Sequence, residues 1–455
     1  MANGSQGVTN NATSVIGAVL TTVSTVVFLV FFGLDLFGFH ANPYLGILFF
    51  LVLPAAFVFG LLLIPLGIVR ERRRRMRGLA PSRMHWPHID LNDPRQRRIA
   101  SIVGVLTLVN VIIVSLAAFR GIEYMDSTAF CGSVCHTVMQ PEYVAYQDGA
   151  HARVRCVECH IGPGAPWFVK AKVDGLRQVL AVARSSYATP IPSPVHSLRP
   201  ARDTCEHCHW PEKFTGDLVR SFRTFADDET NTEDVTSLRL HVGGGSDKYG
   251  GPRGIHWHIH PGTTVEYITT DGERASIPYV KMTDASGKVT EFTVAGTTPA
   301  QLAAGDRRTM DCVDCHNRPA HRFANTVEKA VDRALALGTL PRELPYVRRE
   351  AVAALKAAAG EREAALAAIG ETLQKFYREN YPNEDAARIV RASVTVQDIY
   401  SHNVFPKMKL TFGTHPNHLG HTDYPGCFRC HDDEHTSPDG RVISQDCELC
   451  HKSVD

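Results

Sequence analysis

Five times along the chain, two cysteines stand three residues apart with a histidine directly after the second: Cys156, Cys159 and His160; Cys205, Cys208 and His209; Cys312, Cys315 and His316; Cys427, Cys430 and His431; Cys447, Cys450 and His451. Thiols at this spacing reach the two vinyl-derived carbons on one porphyrin edge, while the adjacent imidazole turns under the ring to the iron; C-x-x-C-H is the signature of covalent haem attachment. The other two of the 12 cysteines, Cys131 and Cys135, precede His136 as C-x-x-x-C-H. We read this longer motif as a sixth haem on an altered attachment loop, which leaves no cysteine over. A structural zinc ribbon needs paired C-x-x-C half-sites and has no use for a histidine after every one. The expected cofactors are therefore six covalent haems c.

Iron ligation follows from the histidine inventory. Of 22 histidines, six follow the cysteine pairs, and His85 and His88 fall in a loop expected to stay cytoplasmic, leaving 14. A second histidine on each iron saturates it and suits electron transfer rather than substrate binding. His151, five residues before Cys156, and His421, six before Cys427, are candidate distal ligands. His321 and His435 follow their own motif histidines by five and four residues. Each would lie on the same side of the ring as that histidine, so each is expected to serve a neighbouring haem. His256, His258 and His260 alternate in a stretch read as a strand, which puts all three on one face; one or two should bind iron, with His258 taken as the candidate. His402 is a further candidate, although it and His196 would serve equally as surface or capping residues. His207, within a variable pair, is expected to face solvent.

The elements that carry these residues divide by composition. With 48 Lys+Arg against 47 Asp+Glu the net charge is +1, which gives no reason to expect a nucleic-acid partner. Three apolar runs, at about 13–34, 44–69 and 99–119, are each long enough to predict a membrane-spanning helix. The first lacks a basic leader and a cleavage site and reads as a retained anchor. Between the second and third lies the Arg-rich loop 70–98, which the positive-inside rule keeps cytoplasmic. The N-terminus is then cytoplasmic, and everything after Arg120 lies on the side where haem c is attached. The predicted fold is a mainly α multihaem cytochrome: a membrane anchor with three transmembrane helices over 1–120, a haem domain over 121–214 with the first three haems, a β-rich insertion over 215–300, and a helical haem domain over 301–455 with the last three. Period-two alternation around Thr264–Ile268, with turns at Asp271-Gly272 and Ser286-Gly287, predicts the strands. Ala/Glu/Leu/Arg-rich sequence from Asn325 to about Val390, broken by Gly338, Pro341, Pro345 and Pro382, predicts the helices.

The stretches CHTVMQPEYVAY (135–146) and HARVRCVECHIGPGA (151–165), behind an apolar anchor, resemble the NapC/NirT family of membrane-bound multihaem cytochromes; NHLGHTDYPGCFRCH (417–431) is similar to ligand-plus-motif segments of the wider group. The resemblance covers roughly residues 100–180. It departs in three membrane helices where one is usual, six haems where four are common, and C-x-x-x-C-H at the first site. The resemblance implies oxidation of quinol at the membrane surface and passage of single electrons to a periplasmic acceptor, in a protein of the cytoplasmic membrane whose haem domain is periplasmic. It implies Met139 as axial ligand of the first haem, and Lys170, Lys172 and Asp174 as the polar part of a quinol site able to accept a proton. Beside the quinol pool and membrane lipid, the expected partner is a periplasmic redox protein or complex. Two other classes compete. An electron-transfer subunit of a larger complex would lack a quinol site, and a catalytic multihaem reductase would need a five-coordinate haem, commonly marked by C-x-x-C-K, which does not occur in the sequence.

Overall fold

The computed structural model describes residues 11–36, 53–80, 90, 92–134, 136–162, 164–193, 199–245 and 254–454. It divides into two units, Met1–Met125 with Ile161–Arg177, and Asp126–His160 with Gln178–Asp455.

In the first unit, runs of Val, Ile, Leu and Phe form helices α1 (Ala12–Leu36), α2 (Leu53–Met76) and α3 (Pro94–Met125). α1 and α2 pack antiparallel, with Ser14 Oγ donating to the Ile64 carbonyl at 3.0 Å. The hydroxyls of Thr21 and Thr25 turn back onto their own helix, each donating to a carbonyl four residues earlier at 2.8 Å. The expectation of three transmembrane helices is not met: among the described residues no helix is long and apolar enough to cross a membrane. α2 runs on through Arg70–Arg75 and α3 opens with Arg95, Arg97 and Arg98, so both helices extend past the expected apolar runs into charged sequence. Residues 44–52, the start of the second expected span, lie outside the described residues.

The mainly α expectation is corrected as well, because the second unit contains two antiparallel sheets of three and five strands. Its helical part consists of α10 (Val327–Ala336), α11 (Val347–Ala357), α12 (Arg362–Asn380) and α13 (Ala386–Asn403). Apolar residues at helical spacing, Val331/Leu335, Ala351/Leu355, Ile369/Leu373/Tyr377 and Val396/Tyr400, close into one core with Phe225. Full burial of each such aliphatic side chain stabilises by about 1.5–3 kcal/mol. The Thr326 hydroxyl accepts the Lys329 N–H and starts α10; the Asp385 carboxylate does the same for α13 through Ala387.

The three-stranded sheet pairs β1 (Leu218–Phe225) with β2 (Glu233–Leu240), and β2 with β8 (His451–Ser453) at the end of the chain. The five-stranded sheet has the order β6 (Asp306–Thr309), β3 (Thr264–Thr269), β4 (Tyr279–Thr283), β5 (Val289–Val294), β7 (His435–Thr436). Its core of Val265, Tyr267, Ile277, Val280 and Phe292 packs against Met310 and Cys430. In both sheets a strand from the last 25 residues completes a hairpin formed more than 140 residues earlier, so the sheets carry haem-motif segments and are more than an insertion. The remaining helices are α4 (His136–Gln147), α5 (Cys156–His160), α6 (Ala165–Ala183), α7 (Ala201–Cys205), α8 (Pro299–Ala304) and α9 (Cys312–Cys315).

Candidate haem sites and their imidazole pairs

The C-x-x-C-H spacing closes on a single helical turn. The N–H of the motif histidine reaches the carbonyl of the first cysteine at 2.8 Å in His209 and His316, and at 3.0 Å in His431. One turn puts cysteines at i and i+3 on the same side and lets the next side chain swing away. The fourth motif is locked most firmly. Asp311 and Asp314 form a reciprocal capping box around α9, and Asp314, inside the variable pair, is 1% exposed. At the first motif the extra residue is absorbed by a π-helical turn, Phe130–Val134. Here Gly132 lies against the Tyr143 ring, where a Cβ would come within 2.2 Å of Cδ2. Cys135 and the His136 side chain lie outside the described residues, and Met139 is half-buried on α4.

Five motif histidines each have a second imidazole opposite. The ring centres are 6.1 Å apart for His160 with His321 and for His209 with His151, 6.4 Å for His316 with His256, 5.8 Å for His431 with His258 and 6.1 Å for His451 with His421. An imidazole nitrogen binds a first-row metal at about 2.0–2.1 Å, so two rings that share one ion have centres about 6 Å apart. The Nδ1 atoms are already engaged with backbone carbonyls: His151 with Pro319 at 3.2 Å, His256 with Val242 at 2.5 Å, His258 with Ile255 at 2.7 Å, His321 with Glu142 at 2.9 Å and His431 with Ser444 at 2.9 Å. A proton on Nδ1 leaves Nε2 bare, which is the tautomer a metal needs. Burial, reinforced by the facing imidazole, pushes His160 and His316 below the usual histidine range; burial does the same for His258. Imidazole pairs beside cysteine pairs fit haem iron held by two histidines. Among the described residues no cluster of three or more Cys, His, Asp or Glu could hold another metal ion.

The motifs adjoin one another in chain order. Cys156 is hydrogen-bonded to Cys131, which holds its thiol down to about 6. Cys159 lies near Cys205 and Cys208, with burial as the main cause of its raised thiol. Cys205 is hydrogen-bonded to Cys312. Cys315 and Cys430 are both raised mainly by burial, to about 11 and about 12, with Cys430 in the field of Cys315 and Cys315 in that of Cys427, and Cys450 lies near Cys427.

The distal partners differ in detail from the sequence expectations. His151 faces the third motif and His421 the sixth, and His321 faces the second. His256 and His258 occupy a 3-10 turn, Ile255–Ile259, rather than a strand, and its tight pitch sends them to two different motifs, while His260 joins neither pair. His402 is instead held by the Asp398 carbonyl at 2.7 Å and the Asp148 carboxylate at 3.2 Å. His435 has both nitrogens committed, Nδ1 to Asp432 at 2.9 Å and Nε2 to the Ile277 carbonyl at 2.7 Å, so neither is free for iron. His196 lies outside the described residues.

On α6, Lys170 is exposed with Nζ 4.7 Å from the centre of the Trp167 ring, and Lys172 Nζ is 4.8 Å from that of Phe168. Asp174 pairs with Arg177 at 3.5 Å. The sequence expectations do not include a buried network in which Asp314 accepts from Tyr267 at 2.5 Å and Arg274 at 2.9 Å. Arg429, in the variable pair of the fifth motif, donates to the carbonyls of Asp314 at 2.7 Å and Arg274 at 2.9 Å, tying the fourth and fifth motifs together. The charged residues inside V-D and F-R were the available clue.

Cysteine pairs on single turns, each with an imidazole pair alongside, define a multihaem c-type cytochrome. Residues 94–191 match the family described as NapC/NirT cytochrome c, N-terminal region. Across 449 residues, 98% of this chain and 88% of the relative, the sequence is 42% identical to the cytochrome c-type protein ImcH of Geobacter sulfurreducens. It is also 26% identical to the cytochrome c-type protein NrfH of Wolinella succinogenes over 24% of this chain and 63% of the relative. The match to the cytochrome c-type protein TorC of Escherichia coli K12 is 34% identical over 18% of this chain and 24% of the relative. No solved structure matches. The chain belongs to the NapC/NirT cytochrome c family, and it is an electron-transfer protein with covalently bound haem c.

Proposed function

We propose that the chain is a hexahaem quinol dehydrogenase of the cytoplasmic membrane surface, passing electrons from quinol along its haem sites to a periplasmic redox partner. The observation that carries this reading is the set of five imidazole pairs at one-ion spacing, on motifs that adjoin in chain order. When bound, haem iron supplies a one-electron couple. With haem bound, the pairs His160/His321, His209/His151, His316/His256, His431/His258 and His451/His421 would hold iron from both sides and leave no position for a substrate, which favours conduction over catalysis. For the first haem we assign Cys131 and Cys135, with Met139 as an axial ligand in keeping with family resemblance. A thioether ligand raises the potential relative to two imidazoles and suits the haem that accepts the first electron.

Quinol releases two protons with its two electrons, so its site needs a proton acceptor. We assign that role to Lys172 and Asp174, both half-buried on α6, with exposed Lys170 at the lipid-facing margin. The Arg70–Arg77 run supports a location against anionic lipid. The direct experiment is anaerobic mixing of purified protein with a quinol analogue. Full reduction of the α-band by quinol alone supports the reading; reduction only through an added second protein contradicts it.

A further inference from the structure

One of the imidazole pairs stands apart in what lies behind it. The Nδ1 of His321, opposite His160, approaches both the main-chain oxygen of Glu142 at 2.9 Å and its carboxylate at 3.3 Å. Glu142 is 14% exposed, and both its oxygens accept from Arg318 Nη2, at 2.9 and 2.8 Å. Arg318 Nε in turn donates to the His321 carbonyl at 2.7 Å, closing a ring of contacts around the imidazole. The other carbonyl-anchored members of the pairs are His151, His256, His258 and His431, and among the described residues none of them forms an ion pair with a carboxylate. Glu142 also lies on α4, directly behind the first motif, whereas Arg318 and His321 follow the fourth.

We propose that Glu142 is the positioning residue that sets the reduction potential of the second haem, through the Nδ1–H of its axial His321. This rests on the reading that His160 and His321 share one iron. An anion behind an axial imidazole increases its donor strength and stabilises the more positive, oxidised iron, so it lowers the potential. Arg318 opposes this from the same place, and in a half-buried site the balance of the two charges is felt strongly. The second haem adjoins the first, so this pair adjusts the step by which electrons leave the haem nearest the quinol.

The two charges give tests of opposite sign. In a spectropotentiometric titration of the membrane-purified holoprotein, Glu142→Gln should move one component of the redox curve to higher potential, because it removes the anion and leaves Arg318 uncompensated. Arg318→Met should move the same component to lower potential, and Glu142→Asp should restore it toward wild type. General loosening of the site cannot produce opposite shifts. Unchanged components in both charge variants, shifts of the same sign, or an equal shift in Glu142→Asp would each overturn the proposal. Should Glu142→Gln lose haem, the sign of the Arg318→Met shift decides alone. A His321→Met variant separates the two readings: if it alters one component while the charge variants alter none, only the role of Glu142 falls, and if it alters nothing the shared iron falls as well.

Discussion

Asp314→Asn isolates the network that joins the fourth and fifth motifs. The carboxylate is 1% exposed and accepts from Tyr267, Arg274 and, through its other oxygen, the Asp311 N–H at 2.7 Å. Burial and this anion together push the Tyr267 hydroxyl far above the ordinary range, so that it remains a donor. Asparagine keeps the shape but turns an N–H₂ toward one of these donors and leaves Arg274, itself 6% exposed on its side chain, without its counter-charge. Removing one partner of a buried ion pair costs about 3–5 kcal/mol. With a urea slope of about 3 kcal/mol per M, the unfolding midpoint should fall by about 1 M or more. Tyr267→Phe, which removes only a neutral donor and keeps the pair, should cost about 1–2 kcal/mol. Urea titration read by the Soret band and tryptophan fluorescence compares the two. A loss in Asp314→Asn below about 1 kcal/mol, or no greater than that of Tyr267→Phe, would refute the claim that this charge pair stabilises the network.

Three further outcomes are expected. His415 and His418 are each held down to about 4, mainly by burial and then by Arg318 and Arg429 respectively, whereas unfolded histidine takes up its proton near 6.5. The unfolded chain then binds more protons below 6.5, so stability is full above that pH and falls as pH drops toward 4; the urea midpoint should decline over this window, less steeply in a His415→Gln, His418→Gln double variant. Lys172→Leu and Asp174→Asn should each slow reduction by a quinol analogue at least tenfold while dithionite still reduces every haem, and unchanged quinol kinetics in both would remove α6 from the site. Gly132→Ala should displace Tyr143 and lower haem occupancy at the first motif, measured by mass spectrometry of the peptide containing Cys131.

The haem-attaching cysteines and the existence of a histidine partner were legible because their chemistry is local: two thiols and an imidazole on one turn mean the same thing in any fold. The partner assignments were not, since His151 reaches past its neighbouring motif to His209, and His421 crosses to His451; such choices are made by long-range packing. The IHWHIH stretch shows the limit of periodicity. Its alternation suited a strand, but Gly254 and the Val242 carbonyl that holds His256 draw it into a 3-10 turn. The helical part announced itself by i, i+3/i+4 apolar spacing from Asn325 to about Val390, and α13 carries the core on to Tyr400. The sheets were read as a local insertion because only the hairpins are local, while β7 and β8 come from haem-motif segments too short and polar to announce themselves as strands. In the first unit the apolar runs did become helices, yet arginines continue α2 and begin α3 where the expected spans had clean ends.

Conduction through this chain depends on two imidazoles sharing each of five irons. Low-temperature electron paramagnetic resonance of the oxidised protein, with spins integrated against haem measured as pyridine haemochrome, counts those irons. Six haems per chain are expected, five of them low-spin with the signatures of paired histidine ligation. A high-spin signal amounting to more than one haem, or a haem count near four, would contradict this.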